Sequence, residues 1–109
     1  MNAWDDLMQY LGDDESIEAV VFGSWGRDDS ELADLAIPFE KRNIVLSIEE
    51  AKSFLKREWR FKNFQSLTCY AAYIWTNKRI IWVRTYDGAT WLDSAPRNPE
   101  YCVPHLSGG

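Results

Sequence analysis

Between Leu67 and Leu92 the chain carries three strand-forming runs, LTCYAAYIW, RIIWVRTY and ATWL, separated by the short polar breaks Asn77-Lys78 and Asp87-Gly88. No other feature constrains the fold as tightly. β-Branched and aromatic side chains at alternate positions favour extended backbone. Asp-Gly is a strong two-residue hairpin signal, because the favoured turn needs positive φ at both central residues. Breaks this short leave no room for a crossover, so consecutive strands must pair antiparallel. The expectation is a three-stranded meander.

Two-residue loops would also set its register. Trp75 would then face Ile80, Ile74 would face Ile81, and Tyr73 would face Trp82. In the second hairpin Tyr86 would face Ala89, Arg84 would face Trp91, and Val83 would face Leu92. Side chains alternate between the two faces of a strand. One face therefore collects Ala72, Ile74, Ile81, Val83 and Leu92. The other collects Tyr73, Trp75, Ile80, Trp82, Tyr86 and Trp91, with Arg84 beside Trp91. The aliphatic set is a natural seat for a helix. The aromatic set has two open readings: covered by the N-terminal helix or the C-terminal tail, or partly exposed as a rigid patch of the residue types that dominate binding hot spots.

Upstream, Trp4, Leu7, Met8 and Leu11 recur at helical spacing. Asn2 is placed to cap that helix and Gly12 to end it in a left-handed conformation. IEAVVF, residues 17–22, reads as a strand, and GSWGRDDS, residues 23–30, as an adaptable loop around Trp25. A short strand is expected at 44–46. Ser47 and Glu50 form a capping-box pattern that opens a helix over 48–57. WRFKNF, residues 59–64, alternates like a further strand. After Leu92 three prolines and no periodicity predict an irregular tail. The expected fold is α+β: an antiparallel sheet of four to six strands with a three-stranded C-terminal meander, packed with two helices. A single domain spans residues 1–95 and a tail spans 96–109. At 109 residues one core is sufficient without staples.

Charge is unevenly spread. Residues 1–34 hold ten acids and one base, whereas the remainder holds seven acids and eleven bases, for a net charge of −5. Such a split makes either a solvated acidic face or an electrostatic handle for a basic partner. Asp13, Asp14, Glu15, Asp28, Asp29 and Glu31 are the candidate acidic contacts. Trp25, Trp82, Arg84 and Trp91 are the candidate anchors.

Chemistry is hard to place. The single histidine, His105, lies in the tail, and Cys69 and Cys102 are distant in sequence. These make an incomplete metal set and no nucleophile–base arrangement. FGSWG lacks the glycine order and lysine of phosphate loops. No cofactor and no catalytic residue is expected. The two cysteines are expected as thiols in a cytoplasmic protein, with no signal peptide and no membrane-spanning run. Aromatics and bases interleave from Arg57 to Arg84, as in single-strand nucleic-acid binders, but the net acidity opposes phosphate binding. Self-association through the aromatic face is a second alternative. A Gly-Gly-tailed carrier, suggested by Gly108-Gly109, is a third, weakened by the helix-first order.

The strings EAVVFGSWG, FEKRNIVLSIEEAKSFL and YIWTNKRIIWVRTYDGATWLDSAPRNP resemble those of small proteins from bacteria, phages and prophages that have no settled activity. The resemblance spans most of the chain. In type rather than motif, the chain is similar to phage-encoded inhibitors, including anti-CRISPR proteins. That implies a stoichiometric inhibitor or adaptor of a basic protein or nucleoprotein complex, and it transfers no functional residue.

Overall fold

The computed structural model describes residues 2–25, 37–62, 69–86 and 89–104, the side chains of Ser24 and Trp25 excepted. Helix α1 spans Ala3–Tyr10. Asn2 and Asp5 close a reciprocal capping box: Asn2 Oδ1 accepts from the Asp5 amide at 3.0 Å, and Asp5 Oδ2 accepts from the Asn2 amide at 3.1 Å. Leu11 is already extended, so Gly12 follows the helix without adopting the left-handed conformation. Strand β1 (Ile17–Trp25) comes next, then a 3-10 turn (Phe39–Lys41), helix α2 (Ile48–Leu55) and strands β2 (Tyr70–Thr76), β3 (Arg79–Tyr86) and β4 (Ala89–Pro96). Ser47 Oγ caps α2 by accepting from the Glu50 amide at 3.3 Å, while the Glu50 carboxylate pairs with Lys41 at 2.7 Å.

The four strands form one antiparallel sheet in the order β1-β2-β3-β4. Both meander registers are those that two-residue loops demand: Tyr73 faces Trp82, Ile74 faces Ile81, Trp75 faces Ile80, Arg84 faces Trp91 and Val83 faces Leu92. The Asn77-Lys78 turn is held from outside. Asn77 Oδ1 accepts from the Ser16 amide at 2.9 Å, and the Asn77 amide donates to Ser16 O at 3.1 Å. β1 adds to the free side of β2 with Val20 opposite Ile74 and Phe22 opposite Ala72. It is irregular at Glu18 and beyond Phe22.

Both helices pack on the aliphatic face. Ala3 and Leu7 of α1 and Ala51, Phe54 and Leu55 of α2 share one core with Val20, Phe22, Ala72, Ile74 and Ile81. Each such large side chain contributes about 1.5–3 kcal/mol of burial. Phe22, Phe54, Trp59, Phe61 and Tyr70 add an internal aromatic cluster, in which Trp59 meets Phe61 at 5.0 Å and Tyr70 at 5.4 Å in edge-on geometry. This cluster explains why residues 59–62 are not the expected strand. Trp59 and Phe61 are both buried, and Trp59 Nε1 donates to Phe54 O at 3.0 Å, turning the segment back on α2. Residues 63–68 lie outside the described residues. The short strand expected at 44–46 reduces to one bridge, Leu46 to Val20. β4 continues past Leu92, because Asp93, Ser94 and Ala95 keep pairing with Trp82, Ile81 and Ile80. No helix among the described residues is long and apolar enough to cross a membrane.

Candidate functional site

The face of the sheet opposite the helices is built from three cross-strand rows. One reads Val21, Tyr73, Trp82, Asp93; the next reads Ala19, Trp75, Ile80, Ala95; the third pairs Arg84 with Trp91. Tyr86 ends the face opposite Ala89. Among the described residues no helix lies over these side chains. Tyr73 and Tyr86 are each 55% exposed, and Trp75, Ile80, Trp82 and Trp91 are half-buried. Tyr73 and Trp75 sit with ring centroids 6.0 Å apart. Small residues at Gly23 and Ala71 leave a groove of about 250 Å³ beside Val21, Tyr73 and Trp82. A Cβ on Gly23 would stand 3.2 Å from the Ala71 Cβ, so the groove floor is closely packed.

One charged couple interrupts this aromatic surface. The Arg84 guanidinium lies over the Trp91 ring, 5.4 Å from its centroid, and Arg84 Nη1 is 3.6 Å from Asp93 Oδ2. Asp93 is only 9% exposed, although it stands on the face opposite α1 and α2. Its Oδ1 accepts from the Ser94 amide at 2.8 Å, but Oδ2 and Arg84 Nε are both buried without a hydrogen-bond partner. Such groups are rare, because each forfeits its hydration without replacement.

The acidic candidates separate. Asp13 is exposed. Asp14 is exposed but pairs with Lys78 at 2.6 Å, and the hydrogen bond from Lys78 draws its carboxyl below the ordinary value. Glu15 is turned inward, with its side chain 3% exposed. Its carboxylate accepts from Arg79 Nε at 2.8 Å, Arg79 Nη2 at 2.9 Å, Thr76 Oγ1 at 2.6 Å and the Gly12 amide at 3.0 Å. Burial pushes its pKa up, and these donors more than reverse that, holding it at about 2. Asp6 pairs with Arg60 at 2.7 Å, and Glu18 with Arg97. Four acids of the N-terminal segment thus meet bases from the rest of the chain. Asp28, Asp29, Glu31 and the Trp25 side chain lie outside the described residues, as do His105 and Gly108-Gly109.

Trp82, Arg84 and Trp91 are brought together on one face, as the register required, and Asp13 and Asp14 lie in the turn after α1. Asp93 was missed because the strand was expected to stop at Leu92. Carrying the Tyr86–Ala89 register four residues further would have placed it beside Trp82. Among the described residues no group of three His, Cys, Asp or Glu side chains could hold a metal ion. Cys69 is a buried free thiol whose pKa is pushed up to about 11 by desolvation, partly offset by a hydrogen bond with Thr90. Cys102 is exposed on the tail. A broad cleft of about 790 Å³ runs from Tyr10 and Arg79 past Trp82 to tail residues Cys102 and Val103, and Glu15 and Ser94 line it already engaged to Arg79. No protein family model, curated protein or solved structure matches the chain.

Proposed function

We propose that the protein is a non-enzymatic binding module that docks a basic protein through the outer face of its sheet, acting as a stoichiometric inhibitor or adaptor. The observation that supports this reading is the division of the sheet. Among the described residues both helices and the buried hydrophobic cluster lie on one face. The other face keeps Tyr73, Trp75, Ile80, Trp82, Tyr86 and Trp91 on a rigid ladder, and among the described residues no helix lies over them. Large aromatic side chains held on a sheet bury much area on contact and lose little conformational freedom doing so, which is what binding anchors require. Asp13, exposed in the turn after α1, together with the net charge of −5, favours a basic partner and would speed encounter with it. Direct binding of single-stranded nucleic acid is less well supported, since Arg84, the one basic side chain in the aromatic rows, already faces Asp93.

The test is a capture comparison in the native host. The full chain and its Tyr73→Thr/Tyr86→Thr variant are used as baits, with circular dichroism to show that both are folded. A basic protein held by the wild type and released by the variant is the expected result. Equal retention of that protein by both baits would contradict docking through this face.

A further inference from the structure

Within the proposed docking face, and resting on that reading, we infer that Trp91 and Asp93 form a site for a guanidinium or ammonium side chain of the partner, and that Arg84 is the internal placeholder that partner displaces. A π-face beside a carboxylate is a cation site by its chemistry: the ring quadrupole and the formal charge attract the same group. Arg84 occupies it with poor geometry. Its guanidinium covers Trp91, yet it reaches Asp93 only at 3.6 Å, and Arg84 Nε and Asp93 Oδ2 go without hydrogen bonds. A well-fitted arginine–carboxylate pair makes two parallel contacts near 2.7–2.9 Å. The mismatch follows from the register. Arg84 lies opposite Trp91 and Asp93 lies opposite Trp82, so the pair is diagonal and the guanidinium must reach sideways along the face.

An incoming side chain carries no such restriction. It can approach along the normal to the sheet, stack on Trp91 and present both donors to Asp93. Arg84 would then swing to solvent, where its charge is fully hydrated. The exchange leaves the number of ion pairs unchanged, returns Arg84 Nε to water and gives Asp93 Oδ2 a donor from the incoming side chain, so the face selects a cation over a neutral side chain of equal size. The energetic sign of Arg84 is therefore opposite to that of an ordinary hot-spot arginine: its removal frees the site.

The experiment is a titration of ¹⁵N-labelled full chain with the capped tripeptide Gly-Arg-Gly, reading the indole N–H resonances of Trp82 and Trp91. The capped citrulline peptide serves as the neutral control. Arg84→Ala should bind the arginine peptide about tenfold more tightly than the wild type. Asp93→Asn, which keeps the shape and removes the charge, should lose the preference for arginine over citrulline. Arg84→Gln serves if Arg84→Ala loses amide dispersion. Weaker or unchanged binding by both Arg84 variants would overturn the placeholder, and equal binding to Asp93→Asn would overturn the site. Either failure leaves the host-capture result with the Tyr73/Tyr86 variant standing, so the narrower inference and the broader reading fail separately.

Discussion

Glu15 and Asp93 illustrate how one residue type acquires two roles from its surroundings. Both carboxylates are nearly buried, but Glu15 receives four hydrogen bonds and Asp93 Oδ2 receives none. The first is a latch. It joins the turn after α1 to the start of β3, and Arg79 extends the join to Tyr10 O at 2.7 Å and to Ser94 Oγ at 3.2 Å. Removing one partner of a satisfied buried pair is costly, so Glu15→Gln should destabilise the fold by roughly 3 kcal/mol near neutral pH. The pH dependence has a definite sign. The folded pKa, about 2, lies below the ordinary 4.5, so the latch contributes fully above about pH 4.5 and fades as pH falls towards 2. Urea unfolding of wild type and Glu15→Gln should show a constant difference above pH 5 that shrinks between pH 4.5 and 2. A difference that persisted at pH 2 would rule out the latch as its source. Asp93, with a poorly placed cation and an orphaned oxygen, is the residue whose environment asks for a partner.

At the scale of elements, the helix starts and the meander are the legible parts. Asn2 and Ser47 cap where their sequence positions indicate, and Asn2→Ala should cost about 1 kcal/mol, readable as a lower urea midpoint with an unchanged slope. Asn2 Nδ2 also donates to Lys56 O at 3.2 Å, joining α1 to the end of α2, so a loss well below that value would show the cap to be idle. The hairpins were legible because loop length fixes register, and register fixes which side chains share a face. What was not legible depends on contacts distant in sequence. Trp59-Arg60-Phe61 alternates like a strand, but here both aromatics enter the core and Arg60 reaches Asp6. The continuation of β4 through Asp93 and Ser94 was hidden because neither residue favours strands. Pairing with β3 and the Tyr10 hydroxyl bond to Ser94 Oγ at 3.2 Å override that preference.

Across the whole molecule, part of the charge split in the sequence is a stitching pattern among the described residues. Asp6, Asp14, Glu15 and Glu18 meet Arg60, Lys78, Arg79 and Arg97, so each pair joins the N-terminal segment to a later one. The exposed pairs among them contribute little stability, and salt should change the unfolding midpoint only slightly. The larger asymmetry is between the two faces of the sheet. Sequence pattern separated an aliphatic set from an aromatic one but left open which helix covered which. The docking of α1 and α2 on the same side settles that, because Leu7, Phe54 and Leu55 converge on Val20, Phe22 and Ile74. The described helices and buried hydrophobic residues lie on one face, and no described helix covers the aromatic side chains of the other. Urea unfolding of the Tyr73→Thr/Tyr86→Thr variant measures that division most directly, since threonine keeps the strand preference while removing both rings. The account predicts stability within about 1 kcal/mol of wild type, as for surface changes. A loss of more than about 3 kcal/mol, the scale of a truncated core aromatic, would mean that the outer face is core and the division does not exist.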